Sequence, residues 1–565
     1  MTADRLPGTA AHAAEAGAVR RPLPAAALAM AGLIAAIVFL PIGTLIGVAL
    51  SGSGADWPHL VEYVLPRATV TTLALLAMVA FGSAVIGVAT AWLVVAYEFP
   101  LRRTVAWALV LPLAVPPYLA AYAFAEFFHF TGPVQSALRE VFGFATSRDY
   151  WFPEIRSTPG AAIVITAVAY PYVYLTARVV FLMQARNIAD VARTLGAGPT
   201  RTFWRVLLPV ARPAVAAGVA LVLMETLNDI GAVQYLGVRT LTLSVYSTWL
   251  NRGSLEGAAQ IAVVMLVLVV LLLSAEQAAR RRQKVHAARG THWRVHPPRT
   301  RLVGWRGVAA TVAALLPVAA GFGIPLYVFG RYALRRLDQI ADPVLLEAFV
   351  TSFATAAAAA VLAVLAALML INAMRLSRGA GVAALVRLAA SGYALPGTIL
   401  GLGLLLALAW LDNTVDAAAR AYLGVSTGLL LSGSAFAVVL ACAIRFLALA
   451  ESAVRAGLEK LPPHLDEAAR CLGRSSAGSA TVILLPLLAP AILTAAILVF
   501  VDTVKELSAT ILLRPFGFDT LATLVYENAS RGAVEDGAFA ALLIVATAIV
   551  PVALLSRGLT RDGST

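Results

Sequence analysis

Charge is scarce in this sequence. Asp, Glu, Lys and Arg make up 13% of its 565 residues, whereas a soluble domain carries about 25%, so a soluble globular fold is excluded. Lysine is nearly missing: Lys284, Lys460 and Lys505 are the only three. No Gly-x-x-x-x-Gly-Lys-Ser/Thr phosphate loop occurs, which excludes a nucleotide engine within the chain. Cys442 and Cys471 are the only cysteines; their spacing suits neither a metal site nor a disulfide framework, and both read as free thiols. The seven histidines are scattered and no His/Asp/Glu cluster stands at catalytic spacing, so a membrane-embedded enzyme finds no support.

What is abundant is apolar. Hydrophobic residues make up 60% of the chain, in runs long enough to cross a bilayer, about 20 residues each. Six runs fall at Pro24–Leu50, Val70–Ala96, Thr104–Phe128, Ala161–Met183, Pro213–Leu236 and Ala258–Ser274. Six more fall at Val308–Gly330, Ala348–Ile371, Leu388–Leu411, Thr427–Leu449, Leu487–Leu512 and Ala538–Leu555. The first run is too long for the core of a signal peptide and reads as an uncleaved span. The pattern predicts an all-α polytopic membrane protein of about twelve helices. Its parts are a cytoplasmic tail (1–23), a first six-span half (24–276, core 66–276), a basic linker (277–306) and a second half (307–565, core 346–557).

The formal net charge of +13 follows this layout. The linker holds nine Lys/Arg and no acid, and Arg102/Arg103, Arg186–Arg212, Arg375–Arg387, Arg445–Arg474 and Arg557/Arg561 fall in loops on the same side. Basic loops mark the cytoplasmic face, which places both termini inside. Arg331, Arg335 and Arg336 are exceptions. The basic residues therefore read as topology signals and headgroup contacts, not as a nucleic-acid surface.

The two halves repeat each other. Val70-Thr71 aligns with Val350-Thr351, and Ala114-Val115-Pro116 with Ala394-Leu395-Pro396, both at a displacement of 280. The displacement is 277 from Gly196/Gly473 through Glu225/Asp502, and 280 again at Val245-Tyr246/Val525-Tyr526. An even number of spans separates the halves, so they are parallel repeats about an axis along the membrane normal. Pro116, Pro117 and Pro396 lie within apolar runs and predict kinks. Leu431-Ser432-Gly433-Ser434 faintly resembles an ATPase signature but lies in an apolar run, and reads as small-residue helix packing.

Asp466–Pro486, DEAARCLGRSSAGSATVILLP, reads as a short helix, a glycine break and a second helix that Ser475 or Ser476 can cap. It meets every fixed position of the Glu-Ala-Ala-x3-Gly-x9-Ile-x-Leu-Pro pattern through Glu467, Ala468, Ala469, Gly473, Ile483, Leu485 and Pro486. Asp190–Pro209 is a looser copy: Ala192, Gly196, Leu208 and Pro209 match, while Asp190, Val191 and Val206 depart. On these residues the chain resembles the permeases of binding-protein-dependent ABC importers. The resemblance implies that each stretch is a coupling helix seated in a groove of a separate ATPase. Phe500–Pro515 and Met224–Val238, with Thr240–Trp249, resemble ferric-iron importer permeases with two fused halves. Thiamine, phosphonate, polyamine and anion permeases share that architecture.

Glu225, Asp229, Asp502, Lys505 and Glu506 stand in or beside apolar runs. Each ionised group at mid-bilayer costs about 2.5–3.5 kcal/mol on insertion scales, so partners, water or a function are required. Glu225/Asp229 and Asp502/Glu506 are each four apart and share a helix face. Two readings stand: a cation-attracting pathway for Fe³⁺, or structural pairing of Asp502 with Lys505 and capping by Glu506.

The resemblance then implies an inner-membrane permease subunit that binds no cofactor and performs no catalysis. ATP is used by a partner ATPase, expected in two copies, and a periplasmic or surface-tethered solute-binding protein delivers the substrate. An ion-coupled secondary transporter using the same carboxylates is the alternative from another class.

Overall fold

The computed structural model describes residues 25–52, 54–194, 199–281, 299–376, 379–462 and 464–560. The expected tail and most of the basic linker lie outside them. Twelve apolar spans follow in order: α1 Ala27–Ser51, α2 Trp57–Ala96, α3 the bent pair Arg102–Ala114 and Pro117–Phe142, α4 Thr158–Met183, α5 Phe203–Asn228, α6 Leu255–Ala278, α7 Trp305–Arg335, α8 Pro343–Leu376, α9 Gly397–Leu423, α10 Ala435–Leu458, α11 Ala480–Val504 and α12 Val534–Ala553. The chain is an all-α polytopic membrane protein of two parallel six-helix repeats, α1–α6 and α7–α12.

Proline sets the irregularities. Four π turns occur among the described residues, at Leu60–Val64, Phe203–Leu207, Ala319–Gly323 and Ala480–Leu484, and each runs directly into an X-Pro pair (Pro66, Pro209, Pro325, Pro486). Proline brings no N–H to the ladder and its ring crowds the carbonyl four residues back. One extra residue in the preceding turn relieves that clash without ending the helix. Pro116 and Pro117 instead break α3, whose two pieces diverge by 97°. Pro396 separates a short helix, Ala380–Ala390, from α9.

These breaks correct several expected boundaries. The runs read as Thr104–Phe128 and Leu388–Leu411 are not continuous spans. Beyond the expected end at Leu411, the residues from Asp412 to Leu423 form the last turns of α9. Asp412 is accommodated there by accepting from the backbone N–H of Ser432 (2.8 Å) and its hydroxyl (2.7 Å). Leu431–Ser434 is therefore an irregular segment ahead of α10, not part of a packed helix.

The repeat is visible in hydrogen bonds. The Thr72 hydroxyl accepts from Leu241 N at 2.9 Å, and the Ser352 hydroxyl accepts from Leu521 N at 2.7 Å; both pairs are displaced by 280. The halves also clasp each other. The α1 helix packs on α9, where the Thr44 hydroxyl donates to Gly403 O at 2.9 Å. Its counterpart α7 packs on α3, where the Tyr332 hydroxyl donates to Glu126 Oε2 at 2.7 Å. Each first helix is thus held by the opposite half. Small residues permit the approach: a Cβ at Gly403 would lie 2.3 Å from Pro41 O, and one at Gly321 2.0 Å from Ala167 O.

Candidate functional site: a charged cavity between the halves

The α5 and α11 helices both stop short. The expected runs to Leu236 and Leu512 end at Asn228 and Val504. Short polar side chains compete with the helix for backbone groups at such points. Asp229 Oδ1 accepts from Ala232 N at 2.6 Å and caps the short helix Gly231–Tyr235. At the displaced position, Glu506 accepts from Ala509 N (3.1 Å), Thr510 N (3.1 Å) and the Thr510 hydroxyl (3.0 Å), capping Thr510–Leu513. The same acid-to-amide geometry therefore occurs twice, 277 residues apart.

Between these caps lies a cavity of about 70 Å³ lined by residues of both halves, among them Tyr118, Tyr172, Glu225, Asp229, Arg445, Asp502, Lys505 and Glu506. A water needs roughly 10–15 Å³ on this measure, so the space suits a few waters or one partly hydrated ion. All five intramembrane charged residues expected from the sequence border this one space. They do not share one role in it. Asp229 and Glu506 are engaged as caps. Lys505 Nζ lies 2.7 Å from Asp502 Oδ1. Glu225 accepts from the Tyr393 hydroxyl at 3.2 Å, and no cation lies within ion-pair distance of it among the described residues. Nor do three His, Cys, Asp or Glu side chains converge as a metal site among those residues.

Arg445 corrects the sequence reading. It is not a loop base: it sits inside α10, is buried, and pairs with Glu506. Its i+1 and i−1 neighbours, Phe446 and Ile444, are apolar and buried. The available signal was the spacing itself, an arginine ten residues into a 24-residue apolar helix. Tyr118, Tyr172 and Tyr393 were also missed, because tyrosine in an apolar run looks like ordinary packing.

The two walls of the cavity differ. Position 445 corresponds to Val168, Lys505 to Asn228, and Gly397 to Pro117. Asn228 Oδ1 accepts from Gly397 N at 2.6 Å; Pro117 has no N–H to offer in return. The Tyr118 hydroxyl, in a side chain 3% exposed, has no hydrogen-bond partner among the described residues.

The coupling stretches lie at the opposite ends of α5 and α11 from the cavity. Glu467, Ala468 and Ala469 are on the helix Leu465–Cys471. Ala469 is buried, whereas Ala468 is exposed, and Leu472, four residues on, is 84% exposed. Gly473 has φ +80°, a left-handed conformation that favours glycine. The Ser475 hydroxyl accepts from Gly478 N at 3.1 Å, capping the next turn. Pro209 and Pro486 each follow a π turn as second residue of a helix. The backbone of Asp190 and Ala192 continues the α4 helix to Thr194; their side chains, that of Glu467 and all of Gly196 lie outside the described residues. Cys442 is buried and Cys471 exposed, both free.

Comparison with known proteins agrees with this architecture. Residues 83–285 match the family described as binding-protein-dependent transport system inner membrane component. The chain is 24% identical over 492 residues to the Fe(3+)-transport system permease protein FbpB 2 of Haemophilus influenzae, covering 86% of this chain and 88% of that one. It is 30% identical over 244 residues to a probable molybdenum ABC transporter permease of Haloferax volcanii, covering 42% of this chain and 83% of the relative. It is 29% identical over 223 residues to the sulfate transport system permease protein CysT of Salmonella typhimurium, covering 38% and 76%. With these matches and its multi-pass helical build, the chain belongs to the family of binding-protein-dependent transport system inner membrane components.

Proposed function

We propose that this permease carries ferric iron. A solute-binding protein delivers the ion at the face opposite the coupling stretches, and two copies of a separate ATPase drive transport from the cytoplasm, where both chain termini lie. The observation that carries the reading is the relative matched across both halves, an Fe(3+)-transport permease, together with an interhalf cavity where four carboxylates stand against two cations. A hard cation is drawn to such an oxygen-rich, net-acidic space. Nucleotide-driven closure of the ATPases rocks α1–α6 against α7–α12 through the Asp190–Pro209 and Glu467–Pro486 stretches. Exposed Ala468 and Leu472 share one helix face, an apolar strip suited to a groove in the ATPase.

A second reading, an oxyanion such as sulfate or molybdate, is favoured by Arg445, Lys505 and the sulfate and molybdenum relatives. Both cations, however, are already engaged by carboxylates, so an anion entering the cavity meets excess like charge.

The test is uptake by the permease reconstituted with its ATPase and binding protein. Radiolabelled iron accumulates on ATP addition, and excess sulfate or molybdate leaves it unchanged. Accumulation of labelled molybdate or sulfate in place of iron overturns the assignment, and transport without an ATPase overturns the class.

A further inference from the structure

Two of the four cavity carboxylates are consumed by capping, which leaves Glu225 and Asp502. These are each other's counterparts in the repeat, one on α5 and one on α11. Their surroundings share a feature beyond acidity: phenols. Tyr393 donates to Glu225, and Tyr172 lines the cavity. Tyr172, Glu225 and Asp502 line the same cavity, and Tyr393 reaches it through its bond to Glu225. A third phenol that lines the cavity, Tyr118, has a buried hydroxyl with no hydrogen-bond partner among the described residues. An unpartnered buried hydroxyl costs roughly 1–3 kcal/mol, and a ligand or its water shell relieves that cost.

We propose that Glu225, Asp502, Tyr172 and Tyr393 form the transit site for the ferric ion, with Tyr118 holding a water of its shell; this rests on the iron reading above. Ferric iron is small and triply charged, and prefers compact anionic oxygens, phenolate and carboxylate. The charges balance. Each phenol gives up one proton to water on binding, so two carboxylates and two phenolates carry four negative charges. The ion supplies three positive charges, and Lys505, released from its pairing with Asp502, supplies the fourth. In the empty site Lys505 holds the place of the cargo.

The experiment uses the full permease purified in detergent and titrated with ferric citrate. A phenolate-to-iron charge-transfer band appears in the visible spectrum. The double substitution Tyr172→Phe/Tyr393→Phe abolishes it, Glu225→Gln raises the half-saturating iron concentration at least ten-fold, and Tyr327→Phe, on the exposed flank of α7, leaves it unchanged. The phenylalanine variants each lose a single oxygen per site, and an unaltered size-exclusion profile separates lost binding from lost fold. A band that survives the double substitution overturns the proposal. So does absence of the band in the unmodified protein while the reconstituted importer still accumulates iron. Failure of that importer to move iron at all refutes the parent reading instead.

Discussion

The buried Arg445–Glu506 pair makes a prediction whose size follows from its surroundings. Both side chains are almost fully enclosed, 8% and 1% exposed. Arg445→Val installs the residue found at the matching position of the first half, Val168, so the volume and helix propensity suit a span. It leaves the Glu506 carboxylate without its cation. Removing one partner of a buried pair costs about 3–5 kcal/mol. The three remaining contacts of Glu506 to Ala509 and Thr510 offset part of this, which puts the loss near the lower end, about 3 kcal/mol. Arg445→Val/Glu506→Gln removes both charges and keeps an acceptor for the Thr510–Leu513 cap. It should recover to within about 1 kcal/mol of the parent, because replacing a whole buried pair is often neutral. Unfolding in mixed detergent micelles, followed by a spectroscopic probe, gives the two free energies. Equal destabilisation of the single and double variants would refute the argument, since it would mean that arginine packing rather than charge compensation holds the site.

Gly473→Val places a β-branched residue at φ +80°, a conformation costing roughly 1–2 kcal/mol for an L residue. With no neighbour within 4 Å of the added Cβ, the protein still assembles, and the expected result is ATP hydrolysis without iron uptake in the reconstituted system. Gly403→Leu drives a side chain against Pro41 O and pries α1 from the second half. A loss of about 1–3 kcal/mol, typical of overpacking, is read as a lower unfolding midpoint in the same micelle assay. Asp149, in the exposed turn after Phe142, accepts first from Thr146 N and also from Ala145 N, which holds its carboxyl below the usual carboxylate range. A depressed folded value stabilises the turn above the unfolded pKa of about 3.9. That contribution is lost only as the pH falls through the lower folded value, so amide protection at Ala145 and Thr146 should persist to pH 4 and be absent at any pH in Asp149→Ala, which has no side-chain acceptor.

The number of spans and the repeat were readable in the sequence because each rests on a long signal: a run of apolar residues, a constant displacement. The breaks were less readable. Pro116, Pro117 and Pro396 announce a disturbance, but whether proline bends, breaks or is absorbed by a π turn depends on what waits beyond it. After Pro209 and Pro486 the helix simply continues, whereas after Val115 it turns by 97°. The charged residues of the cavity were visible because charge is costly in an apolar run. The pairing of Asp502 with Lys505 and the capping by Glu506 were legible from spacing as one of two readings; the bond of Asp229 to Ala232 N and the pairing of Glu506 with Arg445 were not, since they form only once the chain leaves the helix. Arg445 itself was grouped with the loop bases because the apolar run was read as Thr427–Leu449, which leaves it near the end, whereas the helix Ala435–Leu458 places it near the middle.

The pattern of likeness and difference between the halves separates scaffold from chemistry. Where the two copies agree, the shared features hold backbone: Thr72 and Ser352 receive the amide that opens the next helix, Asp229 and Glu506 cap a short one, and a π turn precedes Pro209 and Pro486 alike. Three differences fall at the cavity: Val168 against Arg445 and Asn228 against Lys505 in its lining, and Pro117 in the lining against Gly397, which donates to Asn228 just behind it. Two identical subunits about an axis would carry the same charge on both walls. A fused chain is free to place both cations on one wall, and here both come from the second half. A cation in transit is thereby repelled from the Arg445–Lys505 side and drawn toward Glu225, the carboxylate of the first half that holds only a phenol. This asymmetry predicts unequal effects for counterpart residues. Glu225→Gln should reduce iron uptake more than Asp502→Asn, because Asp502 is already paired with Lys505, whereas removing Glu225 takes away the one cavity carboxylate that neither caps a helix nor pairs with a cation. Equal losses from the two substitutions, measured as initial uptake rates at matched protein levels, would mean that the ion samples both walls alike and that the divergence of the halves has no bearing on its path.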